Sequence, residues 1–259
     1  MQFLYAKYIN NIDHDHNIVE LTNSIDTLHN LYIYIIKLIL IIRNKAKESF
    51  KKSISDFFLK NNVINLLMNN IYISNFNEKL FQFHLINDYD ILMLLNEFCN
   101  SSLYKDYINT TTSFLRDKNF LIKYYECFIM KKLYKVFSDN PITLDLNYAH
   151  LMVYNTLKNI NHNNVNLYKL NIDYKNFIIN LYCKTLTNKF KFNKLISNVL
   201  INWDIKRIAI LDLIVMHMAI CEFLYFPNIP TKVTLNEYIE IIKLFSTIKS
   251  PIFINSILD

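Results

Sequence analysis

Asn202–Asp259, NWDIKRIAILDLIVMHMAICEFLYFPNIPTKVTLNEYIEIIKLFSTIKSPIFINSILD, decides the fold. From Asp204 to about Phe226, apolar residues recur at Ile208, Leu211, Val215 and Met218 and again at Ile210, Ile214, Cys221 and Leu224. Both stripes fit a helical period, and a helix apolar on so many sides is expected to be buried nearly all round. Pro227 and Pro230 end it. Leu235, Tyr238, Ile239, Ile242 and Phe245 then give a second helix behind a Thr234-x-x-Glu237 capping-box pattern. Ser250 followed by Pro251 reads as an N-cap and first-turn pair, since proline lacks an N–H that would be unpaired there anyway. The third helix follows, with Phe253, Ile254, Ile257 and Leu258 on one face.

The order of residues along this stretch is specific. Trp203 precedes the central helix, Asp212 lies near its start, and Ala219 and Glu222 lie near its end. Then come Pro230-x-Lys232-Val233, Asn236-Glu237, Ser250 with Phe253, and Ile254-Asn255-Ser256-Ile257-Leu258-Asp259. In order and spacing this resembles the C-terminal half of the transcription antitermination factor NusB family, with Ser256 standing where the family has glycine. Gln2, Leu4 and Tyr5 resemble the end of the family's first helix.

The resemblance implies an all-α protein of NusB-like helical bundles. It also implies binding of boxA-type single-stranded RNA together with the ribosomal protein NusE, as part of the RNA polymerase antitermination complex. Carried over residue by residue, it points to Gln2, Tyr5, Lys249, Ser250 and Phe253 for RNA and to Tyr5 and Asp212 for NusE. The family's arginine-rich arm is expected just before the position of Met1, and its absence motivates the alternative of an interaction module that pairs with NusE without gripping RNA. NusB-like domains also occur fused to an RNA cytosine methyltransferase. No enzyme activity is expected of this chain, which ends at Asp259, straight after the NusB-like part.

The lysine at 249 has a physical rationale of its own. A helix start offers free N–H groups and a positive dipole end to phosphate, Lys249 adds a charge, and an aromatic at 253 suits stacking on an unpaired base. The competing expectation is that Ser250 caps, Pro251 starts the helix and Phe253 is core.

Composition bounds the rest. A hydrophobic content of 52% in 259 residues argues for a globular chain, and a net charge of +6 agrees with an RNA partner without demanding one. Glycine is absent and arginine occurs only at 43, 116 and 207, against an abundance of Asn, Ile, Lys, Tyr and Phe. Glycine-rich phosphate loops are thereby excluded, no cofactor is expected, and helix ends needing a left-handed residue must use Asn, with Asn70 and Asn140 as candidates. Cys99, Cys127, Cys183 and Cys221 lie too far apart to suggest zinc or a disulfide framework, which fits a reducing compartment. Asp13-His14-Asp15-His16 follows the first residues too closely for a signal peptide, and those two histidines read as a solvated loop. The run Leu31–Ile42, with Lys37 inside it, is too short to span a membrane and reads as a buried helix. The expectation is a cytoplasmic protein.

Upstream, helices are predicted over Ile18–Phe50, Asp56–Asn70, Asn87–Asn100 and Ser113–Phe137. Lys45, Lys47, Lys51 and Lys52 sit where cations suit a helix end. Ser138-Asp139-Asn140-Pro141 is the strongest boundary signal and divides a divergent N-terminal helical region with an insertion, 1–140, from a C-terminal bundle, 141–259. Within the latter, Leu146–Asn159 and Tyr174–Asn188 are predicted helices, and 161–166 is a predicted loop. On the central helix, Asp212, His217 and Glu222 are spaced by five, so successive members are turned by about 140° and cannot converge on one metal or substrate. His217 and Cys221 read as a buried structural pair.

Overall fold

The computed structural model describes residues 1–9, 14–49, 52–76, 86–111, 113–138, 143–162, 164–200 and 203–259. Among them there is no strand, only an isolated bridge pairing Asn161 with Asn164 in the predicted loop. The chain begins with α1 (Gln2–Ile9) and the long α2 (His14–Ser49). Next come α3 (Lys52–Lys60), α4 (Asn62–Met68), α5 (Ile71–Ser74), α6 (Asp88–Cys99) and α7 (Ser102–Ile108). Helix α8 (Phe114–Tyr124) runs through a π-helical turn, Tyr125–Met130, into α9 (Lys131–Val136). The order closes with α10 (Thr143–Asn159), α11 (Ile172–Thr187), α12 (Lys189–Val199), a 3₁₀ turn (Ile205–Arg207), α13 (Ile210–Tyr225), α14 (Thr231–Phe245) and α15 (Ser250–Leu258).

Two compact units emerge, one of Met1–Ser24 with Asn171–Asp259 and the other of Ile25–Leu170, which divides the chain differently from a cut near Pro141. Residues 139–142, the predicted boundary and Asn140 among them, lie outside the described residues, as do Lys51 and the side chains of His14, His16 and Lys52.

The middle unit includes the extra helices of the N-terminal half. Its core is the apolar run of α2: Leu31, Ile33, Ile35, Ile36, Ile39 and Ile42 are all buried there. Helix α2 is long and apolar enough to cross a membrane by length and composition, but those side chains are taken up by packing. Around them an aromatic cluster forms, with Phe57, Phe58, Phe98 and Tyr124 meeting at 4.7–6.0 Å between centroids, edge to face except for the tilted Phe57–Phe98 pair. Lys45 pairs with Asp88.

The missing glycines are replaced in an unexpected way. Asn69, Asn75 and Asn100 end helices with φ between −79° and −86°, in the right-handed region. Asn70 does not end a helix in a left-handed turn. It is extended, φ −78° and ψ 115°, and its side chain caps the start of α5 by accepting from Tyr72 N and Ile73 N. Asn61 does the same for α4, and so divides what the periodicity predicted as one helix over Asp56–Asn70.

In the terminal unit, α13 packs against α1, α11, α12, α14 and α15. It is buried nearly all round, as its two apolar stripes predict. It starts later than predicted. The Asp204 side chain accepts from Lys206 N at 2.9 Å and closes a single 3₁₀ turn, after which Ile208 and Ala209 are extended. Helix α14 starts at Thr231, so Thr234 lies inside it and makes no capping box. Its hydroxyl donates to Glu222 instead.

Candidate nucleic-acid interface

Three polar residues of α13 are buried, and each bonds a different neighbour. Asp212 accepts from Ser246 Oγ at 2.6 Å through Oδ1 and from Ser250 Oγ at 2.8 Å through Oδ2, tying α13 to the α14–α15 connection. Glu222 accepts from Thr234 Oγ1 at 2.6 Å and Tyr238 Oη at 3.0 Å, tying it to α14. His217 lies 2.7 Å from Tyr8 Oη through Nδ1 and 2.9 Å from Asn193 Oδ1 through Nε2, tying it to α1 and α12.

Because Asn193 Oδ1 only accepts, Nε2 carries the proton and Nδ1 accepts from the tyrosine, which fixes one neutral tautomer. Burial first, and then the nearby Lys189 charge, push the His217 pKa down to about 4. Lys189 Nζ stands 3.7 Å over the Tyr8 ring. The five-residue spacing thus does separate the three groups. Cys221 is buried, but His217 turns away from it to Tyr8 and Asn193.

The residues expected to bind RNA fall into two sets. On α1, Leu4 points inward, while Gln2 and Tyr5 are exposed, Tyr5 at 38%. At the start of α15, Lys249 is exposed, flanked by Ile248 at 96% and Ile252 at 76% exposure. Ser250 is buried and its hydroxyl is engaged with Asp212, Ser246 and Thr247, so it does not cap α15 with its side chain. Phe253 is half-buried and packs on the cluster of Val215, Ala219, Ile242 and Ile254, which Met1 also joins. Asp212, expected at a partner surface, is buried with both carboxylate oxygens occupied. The structure therefore leaves Gln2, Tyr5 and Lys249 open to solvent and turns Asp212 and Ser250 into the clamp that sets where Lys249 stands.

Sequence reasoning missed one part of this unit. Helix α12, unpredicted, exposes Lys191, Lys194 and Phe190, the last at 84%. Beside it the 3₁₀ turn exposes Lys206 and Arg207, whose guanidinium lies 5.1 Å over the half-exposed Trp203 ring. Cations interleaved with exposed aromatics suit a single-stranded nucleic acid.

The NusB family profile matches residues 130–259, half of the chain. The chain belongs to the NusB family. It is similar to the transcription antitermination protein NusB of Natranaerobius thermophilus, with 38% identity over 91 residues, covering 35% of this chain and 66% of that protein. It is likewise similar to the proteins of that name from Chloroherpeton thalassium and Geotalea daltonii. Each is 41% identical, over 33% and 32% of this chain and 40% and 57% of theirs. The alignments thus span less than two thirds of these relatives. No solved structure matches.

Proposed function

We propose that this chain is a transcription antitermination factor that binds boxA-type single-stranded RNA, together with NusE, through the exposed surface of its terminal unit. One observation carries the reading: within a chain similar to proteins named for antitermination, Lys249 is exposed at the start of α15. In this reading Lys249 meets phosphate, Gln2 and Tyr5 supply polar and aromatic contacts from α1, and α12 offers further exposed cations. Asp212 and Ser250 act by positioning, holding the backbone before α15 so that Lys249 faces outward. Tyr5, a broad apolar ring with a polar tip, is available to NusE on the α1 surface. The mechanism is binding without bond-making.

The test is affinity for a boxA-like RNA and a scrambled control across a salt series, with and without NusE. Lys249→Glu is expected to weaken RNA binding and flatten the salt dependence while leaving the fold intact. Unchanged affinity removes this segment from the RNA site. Pairing with NusE with no preference for boxA identifies an interaction module instead.

A further inference from the structure

From Tyr174 to Trp203 the chain carries five lysines, at 175, 184, 189, 191 and 194, and no aspartate or glutamate. Helix α12 turns Phe192 and Ile196 inward, and its outward sector holds Phe190, Lys191 and Lys194 within about a third of a turn. All three are exposed, Phe190 at 84%.

A further lysine joins them from α11. Lys184 Nζ stands 4.9 Å and Lys191 Nζ 5.4 Å from the centroid of the Tyr225 ring at the end of α13, and Lys191 also donates to the Tyr225 hydroxyl at 3.3 Å. That hydroxyl donates to Asn188 Oδ1 at 2.9 Å, which fixes the ring beside both ammonium groups. Lys184 lies 5.7 Å from the Phe226 ring as well, itself met edge-on by Phe177 at 5.0 Å. Among the described residues, none of Lys184, Lys189, Lys191 and Lys194 makes an ion pair. Glu222, the carboxylate at this end of α13, is buried and engaged by Thr234 and Tyr238 of α14. Cations gathered at one ring without a carboxylate to offset them repel one another, and a bound polyanion relieves that repulsion.

We propose, resting on the RNA-binding reading above, that this patch is a second contact for single-stranded RNA, gripping nucleotides outside boxA without regard to their sequence. Charge alone would equally suit an acidic peptide. Phe190, exposed between Lys189 and Lys191 in the sequence, adds a ring on which a base can stack. The patch is also separate from the Lys249 site. Tyr225 closes α13, whereas Asp212, which holds Ser250 beside Lys249, opens it, so the two surfaces stand at opposite ends of that helix, about 20 Å apart along its axis.

The probes are boxA RNA, the same RNA extended by about eight uridines, and oligouridine alone, each titrated into the full chain across a salt series. The uridine extension is expected to tighten binding about tenfold, and Phe190→Ala combined with Lys191→Gln to abolish that gain; both residues are exposed, so Tm should hold. Lys191→Gln alone should lower the salt slope for oligouridine by about 0.7. A preference for boxA with no gain from the extension overturns this proposal and leaves the antitermination reading standing. Oligouridine binding that falls about tenfold in the double variant, with boxA and a scrambled control bound alike, supports the patch and removes the antitermination reading instead. Polyglutamate bound as tightly as oligouridine, and unaffected by Phe190→Ala, overturns the proposal in favour of an acidic protein partner.

Discussion

Acidification from about pH 7.5 to about pH 5 is expected to remove about 2 kcal/mol of stability through His217 alone. The imidazole is fully buried, its ring proton goes to Asn193, and its other nitrogen accepts from Tyr8, so the folded state has no place for a second proton. Its pKa is about 4 in the fold against 6.5 in an open chain. The sign follows directly. Between those values the unfolded chain binds the proton and the folded one does not, so stability falls as pH falls below 6.5 and levels off below about 4. The full span of some 2.5 pH units corresponds to about 3 kcal/mol, of which about 2 is lost by pH 5. Trp203, the sole tryptophan, lies in the same unit and reports its unfolding in urea by fluorescence. His217→Gln keeps a donor and an acceptor but does not titrate, and every other titrating group is common to both proteins. Subtracting the two pH profiles should isolate the His217 contribution. Parallel profiles would refute the reasoning and show that the imidazole titrates in the fold much as in a free peptide.

Asp212→Ala should lower stability by about 2–3 kcal/mol, since two hydroxyl bonds to a carboxylate are lost. It should also weaken RNA binding although Lys249 is untouched, and both are measurable on one preparation. In the middle unit, Asp117→Ala strands three buried or half-buried donors and should cost about 3 kcal/mol, seen as a fall in the urea midpoint with little change in slope. Tyr107→Phe removes a single one of those bonds and should cost about 1 kcal/mol by the same measurement.

What the sequence conveyed depended on the kind of signal. The apolar periodicities of α2, α6 and α13 were strong because their inward faces are continuous, and helices there were legible to within a few residues except at the start of α13, where a separate 3₁₀ turn intervenes. Helix α12 was not, since Lys189-Phe190-Lys191-Phe192 alternates like a strand, while only Phe192 and Ile196 turn inward on the helix that forms. The capping assignments failed for a shared reason. Thr234 and Ser250 carry the residue types that caps use, but long-range carboxylates at Glu222 and Asp212 claim their hydroxyls. Nothing within either local stretch announces a partner twelve or 38 residues away. For the candidate site, Lys249 was legible because a cation at a helix start needs no tertiary information, whereas the burial of Asp212 and Ser250 arises only when α13, α14 and α15 pack.

The three buried attachments of α13 also constrain how this protein can diverge. Replacing Glu222 by an apolar residue strands the Thr234 and Tyr238 hydroxyls, at about 1–3 kcal/mol each, whereas replacing all three together by apolar groups of like shape is close to neutral. The same holds for Asp212 with Ser246 and Ser250, and for His217 with Tyr8 and Asn193. Among kindred sequences these positions should therefore change as three separate sets, each inherited or exchanged whole, with no correlation required from one set to the next.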